Sequence, residues 1–546
     1  MDWIRYTTAQ KIFWLTGWAG TGKSAIAWTI CSRASNDPDI VLGGSFFCSR
    51  SASWAGQRDV RYIIPTLAQL LARQSTTFSE ALAEELSRDP DILHKHISVQ
   101  IEKLLRKPLH ALASSRPTIT FIIDAVDECG GHSIATETVD DVEIRHIVSE
   151  MLVALVTFCN GKPELPVKFL VTSRPETHIR DTIVSEAEFS KVLRLHTVDK
   201  EQVTADIRFY IATKLFSTLR LRAWFVESDA DVLAHHCDGL FIAATTALKY
   251  MFGGGNDSAP MRFKTVLNSS RNGLSIGALA HLDHIYTLIL DDAARVEDSE
   301  AGGLARILQV LATLLSARMI LSVAALSDLL GVLTVEVHAT LSRLHAVIHV
   351  PDDDSEPGLR TLHASFGDYI FRRAPRHIRI SDSEGNDVPA RACLRVMAEC
   401  LHFNISQSRS SYESNASAKP AGFALSLEYA CTQWIYHVAS LSESSAFEKM
   451  IDELFRPRFL FWLEVMSVLG QVRRATAMLY FAAVTVRLRS LLFPQWPLIL
   501  FLRSNQGNYH SSSAMPIRLL LRPTRQLSAV HHTSTSPLSR LQTRMH

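Results

Sequence analysis

Residues 11–24 read KIFWLT-GWAGTGKS, and that stretch decides the fold. The first six are a short apolar run suited to a buried strand. The next eight, Gly17, Trp18, Ala19, Gly20, Thr21, Gly22, Lys23 and Ser24, fit the pattern G-x-x-x-x-G-K-[ST]. Residues 25–34 continue as a helix. Strand, glycine-rich loop and helix in that order form a phosphate-binding loop. Gly17, Gly20 and Gly22 let the backbone curl with its N–H groups inward, Thr21 lies within the curl, and the helix N-terminus adds partial positive charge. On this reading Lys23 bridges the β- and γ-phosphates, and the Ser24 hydroxyl holds Mg²⁺.

Working outward, residues 118–123 (TITFII) form a second apolar run that ends in Asp124, followed by Ala125, Val126, Asp127 and Glu128. A carboxylate at the C-terminal end of a strand stands where α/β sheets bind ligands. Asp124 is expected to hold Mg²⁺ through water, and Asp127 or Glu128 to orient or deprotonate an attacking water. A third run, residues 167–171 (VKFLV), leads to Thr172, Ser173 and Arg174, whose planar guanidinium suits a γ-phosphate. Two further runs, at 41–48 and 191–196, bring the strands to five, interleaved with helical segments. This predicts a three-layer α/β domain with a parallel sheet. Arg50, after the second strand, is either a plain surface arginine, the favoured reading, or one that faces the nucleotide or a neighbouring protomer.

Composition fits this picture. Of 546 residues, 47% are hydrophobic and 20% charged, which excludes wholesale disorder, collagen-like repeats and a disulfide scaffold. The length predicts several domains. The net charge of +1 is an average of unlike parts. No Asp or Glu follows Glu464, and residues 465–546 hold ten arginines and no lysine. Removing those ten from the 56 basic residues, against 55 acidic ones, leaves residues 1–464 at −9. The eight cysteines are scattered without a C-x-x-C pair, as in a reducing, cytoplasmic setting. No signal peptide or membrane span is expected. The longest uncharged apolar stretches, 475–486 and 490–502, fall short of the ~20 residues a span needs.

Taken together, GWAGTGKSAIAWTI, GGSFFCSR, IIPTLAQLLA, FIIDAVDEC and FLVTSRPETHIR resemble the NACHT-type nucleotide-binding domain of fungal proteins, with a nephrocystin-3-like N-terminal domain. That domain belongs to the STAND class of P-loop NTPases, relatives of the NOD-like receptors of innate immunity. DGLFIAAT at 238–245, LHASFGDYI at 362–370 and LEYACTQWIYHV extend the resemblance to about residue 470. The resemblance implies a sheet in which the strand leading to Arg174 lies between those of Lys23 and Asp124. It implies a signal-transducing switch that holds ADP when closed and ATP when open, with weak ATPase activity. It places a histidine, here His363, against the β-phosphate of ADP. It also implies a proline near the adenine, where this chain has Gly239, Leu240, Phe241 and Ile242. Self-association through the nucleotide domain is left open.

The expected domains are a nucleotide-binding domain at 1–197, a helical domain at 198–300, a winged helix at 301–375, a second helical region at 376–470 and a basic tail at 471–546. Helices are expected at about 199–216 and 229–250. Within the winged helix, helices at 304–315, 323–330 and 334–345 precede strands at 346–350 and 359–362. Its third helix carries Glu336 with only Arg343, and its wing carries four acids, so specific DNA binding is not expected. The tail is either a basic arm for nucleic acid or anionic membrane, or sequence never selected to fold; the end of the resemblance near 470 favours the latter. The family's upstream effector and downstream repeats have no counterpart here: the phosphate loop begins at residue 17, and no period of 20–50 residues follows 440. Two other functions fit the same loop, a truncated nucleotide-binding scaffold without enzymatic activity and an AAA-type turnover ATPase.

Overall fold

The computed structural model describes residues 1–5, 10–49, 55–112, 118–129, 139–161, 165, 167–184, 190–217, 222–253, 259–269, 279–297, 303–351, 358–408, 422–441 and 445–485. Arg50, the acids of the wing (352–357) and the chain from 486 lie outside these residues. The chain divides into two compact units. One comprises residues 1–323 and 334–382, the other 324–333 and 383–546.

The first unit is built on five parallel strands: β1 (Ile12–Thr16), β2 (Ile40–Phe47), β3 (Thr118–Asp124), β4 (Val167–Ser173) and β5 (Ser190–Arg194). Their spatial order is β2-β3-β4-β1-β5, so β4 does lie between β1 and β3. The three central strands are buried along nearly their whole length because both faces are covered, as parallel sheets require. Period-2 alternation then sorts side chains by face. Ile12 and Trp14, Phe121 and Ile123, and Phe169 and Val171 enter the larger core, which includes the helices Ile63–Ala72 and Val139–Gly161. Leu15, Ile122 and Leu170 point the other way, onto Ala27 and Cys31 of the helix Lys23–Ser35. Each such buried Leu or Phe contributes roughly 1.5–3 kcal/mol. The register carries the C-terminal ends of β1, β3 and β4 to one edge, where Thr16, Asp124 and Ser173 precede the loops that carry the candidate residues.

The N-terminal helix Asp2–Arg5 is fixed to the opposite edge. Trp3 Nε1 donates to the Gln10 carbonyl at 2.9 Å, and the Lys168 ammonium donates to the Trp3 carbonyl and sits 5.1 Å from its ring centre. Burial, with the Lys11 charge adding to it, lowers the Lys168 pKa to about 8.

After β5 the unit is helical. The single helix expected near 229–250 is two, Glu227–His236 and Phe241–Phe252. Asp238 and Gly239 take φ of 47° and 78°, left-handed values that a right-handed helix cannot continue through. The remaining helices of this unit include Ala280–Glu297, Gly303–Ser316 and Thr334–Arg343. β6 (Ile348–His349) and β7 (Arg360–Thr361) then pair antiparallel. The short helix Ala364–Asp368 follows directly.

The second unit is all helical among its described residues. Asp382–Cys400, Leu425–Ala439, Ser445–Val468 and Val472–Thr485 are its long helices. Trp434, Phe455 and Trp462 form its aromatic centre, with Trp462 Nε1 donating to the Cys431 carbonyl at 2.9 Å. Folded structure runs past the expected boundary at 470: Ala475, Met478, Leu479 and Ala482 are buried on one face of the last helix. These apolar positions recur every three to four residues, which is what seats a helix regardless of the missing acids. Among the described residues, no single helix is long and apolar enough to cross a membrane.

Candidate phosphate site

The loop between β1 and the helix Lys23–Ser35 adopts the conformation its glycines permit. Gly20 and Gly22 have φ of 80° and 90°. At Gly20 there is a second constraint, since a Cβ would lie 2.0 Å from Ile242 Cγ2. The Gly20 carbonyl accepts from the Ile242 N–H at 3.3 Å, so the helix Phe241–Phe252 closes directly over the loop. Gly22 is the N-cap of Lys23–Ser35 and supplies no side-chain cap, which leaves the helix N-terminus open to an anion. Lys23 is buried and curls back, donating to the carbonyls of Gly17 (2.8 Å) and Trp18 (2.9 Å). Burial lowers its pKa, and the nearby Asp127 opposes that shift.

Asp124 is buried at the end of β3. Its Oδ1 accepts from Thr172 Oγ1 at 2.5 Å, and the Ser24 hydroxyl lies nearby. Burial raises its pKa, while these two hydroxyls partly restrain the rise. Ser24 and Asp124, the two residues expected at Mg²⁺, are therefore neighbours. Thr172 also accepts from the Ala125 N–H at 2.8 Å, which helps hold Ala125 at φ 53° and turns the next residues toward the site.

Asp127 is engaged with Arg174. Its Oδ1 accepts from the Arg174 backbone N–H at 3.0 Å, and its Oδ2 lies 3.3 Å from Arg174 Nε. The far side of the same guanidinium donates from Nη1 to Asp368 Oδ2 at 2.7 Å. Burial works against the arginine's charge, but Asp368 and Asp127 outweigh it and raise the pKa. Asp368 sits 194 residues further along the chain, and sequence reading missed it.

His363 is the N-cap of the helix Ala364–Asp368. Its Nδ1 accepts from the Ser365 N–H at 3.1 Å and lies 2.7 Å from Ser365 Oγ, which in turn meets Tyr286 Oη at 2.9 Å. A backbone N–H can only donate, so the neutral ring carries its proton on Nε2. Burial, with Arg174 and Lys23 adding to it, lowers the His363 pKa to about 4. Ser365 and Tyr286 were also missed. Ser365 lies within the LHASFGDYI string, and Tyr286 on an amphipathic helix, which were the signals available.

Lys23, Ser24, Asp127, Arg174 and His363 line one cavity of about 190 Å³. Its lining also includes Gly20, Gly22 and Glu128, with Phe241, Ile242 and Thr245 from the overlying helix. Sites that enclose a whole small ligand run to roughly 300–1,000 Å³. This one is sized for a phosphate chain with its metal. An uncapped helix N-terminus, a buried ammonium and a hydroxyl–carboxylate pair suit those two groups. Phe241 and Ile242 thus stand beside the phosphate loop itself, at the stretch where a proline was expected near adenine. Gly17 and Thr21 shape the loop from outside the lining, with Thr21 Oγ1 donating to the Trp18 carbonyl at 2.9 Å. Among the described residues no cluster of His, Cys, Asp and Glu is arranged to hold a metal ion by itself.

The parallel sheet with its strand–loop–helix phosphate site is the architecture of a P-loop-type α/β protein. Residues 1–174 match the family model described as Nephrocystin 3, N-terminal, a region associated with NACHT domains. The match ends on Arg174 and so spans β1 to β4. No curated protein matches the chain.

Proposed function

We propose that this chain is a nucleotide-dependent molecular switch of the NACHT/STAND signalling class, holding ADP or ATP with Mg²⁺ and hydrolysing ATP weakly. One observation carries the reading: the cavity lined by the phosphate loop is also lined by His363, while Arg174 joins Asp127 to Asp368. A phosphate chain in that cavity would meet groups from both ends of the first unit. Lys23 and the N-terminus of Lys23–Ser35 would bind phosphate, and Ser24 and Asp124 would hold Mg²⁺, which when bound supplies charge neutralisation. Asp127, occupied with Arg174, orients that guanidinium. Glu128, which lines the cavity, is the better candidate to position water.

The switch follows from competition. A γ-phosphate and Asp368 would both seek Arg174, so the triphosphate would loosen the pair that the diphosphate leaves intact. His363, kept neutral with Nε2–H as donor, would favour the diphosphate state. Cytoplasmic placement and self-association through the nucleotide domain belong to the same proposal.

Equilibrium binding of Mg·ADP and Mg·ATP tests it, with Lys23→Ala as the control. Undiminished binding by Lys23→Ala would refute the site. A folded wild-type protein that binds neither nucleotide would point to a scaffold. Turnover near or above about 1 s⁻¹ would point to a working ATPase, since typical enzymes run at about that rate or faster.

A further inference from the structure

Cys48 and Cys129 lie 81 residues apart in sequence, yet their sulphurs are 3.2 Å apart. Both are buried. Cys48 follows β2, and its N–H donates to the Asp124 carbonyl at 2.9 Å. Cys129 ends the turn Val126–Glu128, where its N–H donates to the Val126 carbonyl at 3.2 Å. The backbone beneath the metal-side carboxylate and the backbone just beyond Asp127 and Glu128 are thus brought together sulphur to sulphur.

We propose that Cys48 and Cys129 form a redox-active dithiol, closed to a disulfide by a peroxide, and that closure repositions the Asp127–Glu128 turn. The bond requires the sulphurs to approach by about 1 Å, to the ~2.05 Å of a disulfide. The chemistry balances within the pair. One thiolate attacks a peroxide oxygen, giving a sulfenic acid and releasing water. The second thiol then displaces hydroxide from that sulphur, which leaves as water. In sum two thiols give up two protons and two electrons, and one hydrogen peroxide becomes two waters. A dithiol carrier reverses it by exchange.

The turn has little freedom to absorb the movement. Ala125, at its start, is a non-glycine residue at φ 53°, held by Thr172. A pull at Cys129 is therefore passed to Glu128 and Asp127. A thiolate must first form at one of the two sulphurs. Reaction also requires local opening, since both thiols are covered. In a reducing compartment the bond would be transient.

The effect on nucleotide rests on the proposed switch; the bond and the turn movement do not. The full chain is treated with hydrogen peroxide, its remaining thiols are alkylated after unfolding, and peptides are mapped by mass spectrometry. Amide hydrogen exchange is followed in the same samples. Expected are a Cys48–Cys129 linked peptide and at least tenfold slower exchange at Glu128 and Cys129, both reversed by dithiothreitol. Recovery of both cysteines as free thiols at a peroxide dose that oxidises the exposed Cys400 overturns the proposal. A linked peptide with unchanged exchange overturns the repositioning. Mg·ADP affinity of the reduced chain is measured alongside. Absence of binding there sinks the nucleotide reading, while the peptide and exchange results still decide the dithiol.

Discussion

The two walls of the cavity are built in opposite ways. The phosphate-loop wall comes from consecutive residues, and its key contacts span few residues: Lys23 reaches carbonyls five and six positions back. The facing groups, His363 and the Asp368 that pairs with Arg174, are brought in over long stretches of chain, and they sit on a five-residue helix capped by His363 itself. The contrast suggests a division of labour. The first wall is set by local backbone geometry and should bind phosphate whatever the rest does. The second depends on tertiary packing and is therefore the part that can move.

The largest expected effect lies on the first wall. Lys23→Ala should weaken ADP and ATP at least about a hundredfold, the loss of a buried charge-assisted contact. Titration calorimetry reads this directly, and a small change would break the distinction between the walls. Next is the cation that joins them. Arg174→Ala leaves Asp127 and Asp368 covered without their shared partner, and should lower stability by roughly 3 kcal/mol. A melting temperature within a degree of wild type would show that the pair is not a latch.

On the second wall, His363→Ala should speed ADP release about tenfold while leaving Mg·ATP affinity within a few-fold. An unchanged ADP off-rate would show that the histidine does not couple nucleotide to closure. Ser365→Ala should have a smaller effect in the same direction, because it removes the hydroxyl between His363 and Tyr286 while the Ser365 N–H still fixes the tautomer.

The pH dependence separates the walls most finely. Folding holds His363 at about 4, below its ordinary ~6.5. The unfolded chain therefore binds this proton more readily than the folded one. The histidine's share of stability is present above pH ~6.5 and declines as pH falls toward 4. His363→Gln should flatten that part of the stability–pH curve. If the slope between pH 6.5 and 4 is the same in both proteins, the buried neutral imidazole is not its source. Lys168 behaves analogously at higher pH. With its pKa lowered to about 8, its stabilising share grows as pH rises from about 8 toward its ordinary value of ~10.4 and is lost as pH falls through 8.

These differences explain how much could be read in advance. The glycines at 20 and 22 impose a backbone requirement, and the one at 17 a close approach by Thr21 and Leu195, so the loop was legible from composition and spacing. β3 and β4 were legible too, because a strand covered on both faces carries an apolar run, here residues 121–123 and 169–171. Asp368 was not, since an aspartate at the end of a short helix carries no mark of a partner 194 residues away. The helix Val472–Thr485 was passed over because charge composition was read ahead of apolar spacing. The break at Asp238 and Gly239 was missed because a single left-handed pair is invisible within an otherwise helical pattern.

By itself the sequence determined the phosphate loop, the five strands and the carboxylate after β3, because each rests on short-range rules of backbone freedom and alternation. Only the tertiary structure decided that Arg174 is shared between Asp127 and Asp368, that Thr172 holds Asp124, and that two of eight scattered cysteines meet. Those pairings join distant stretches of chain. They depend on strand order and on packing over the sheet edge, which no local pattern encodes.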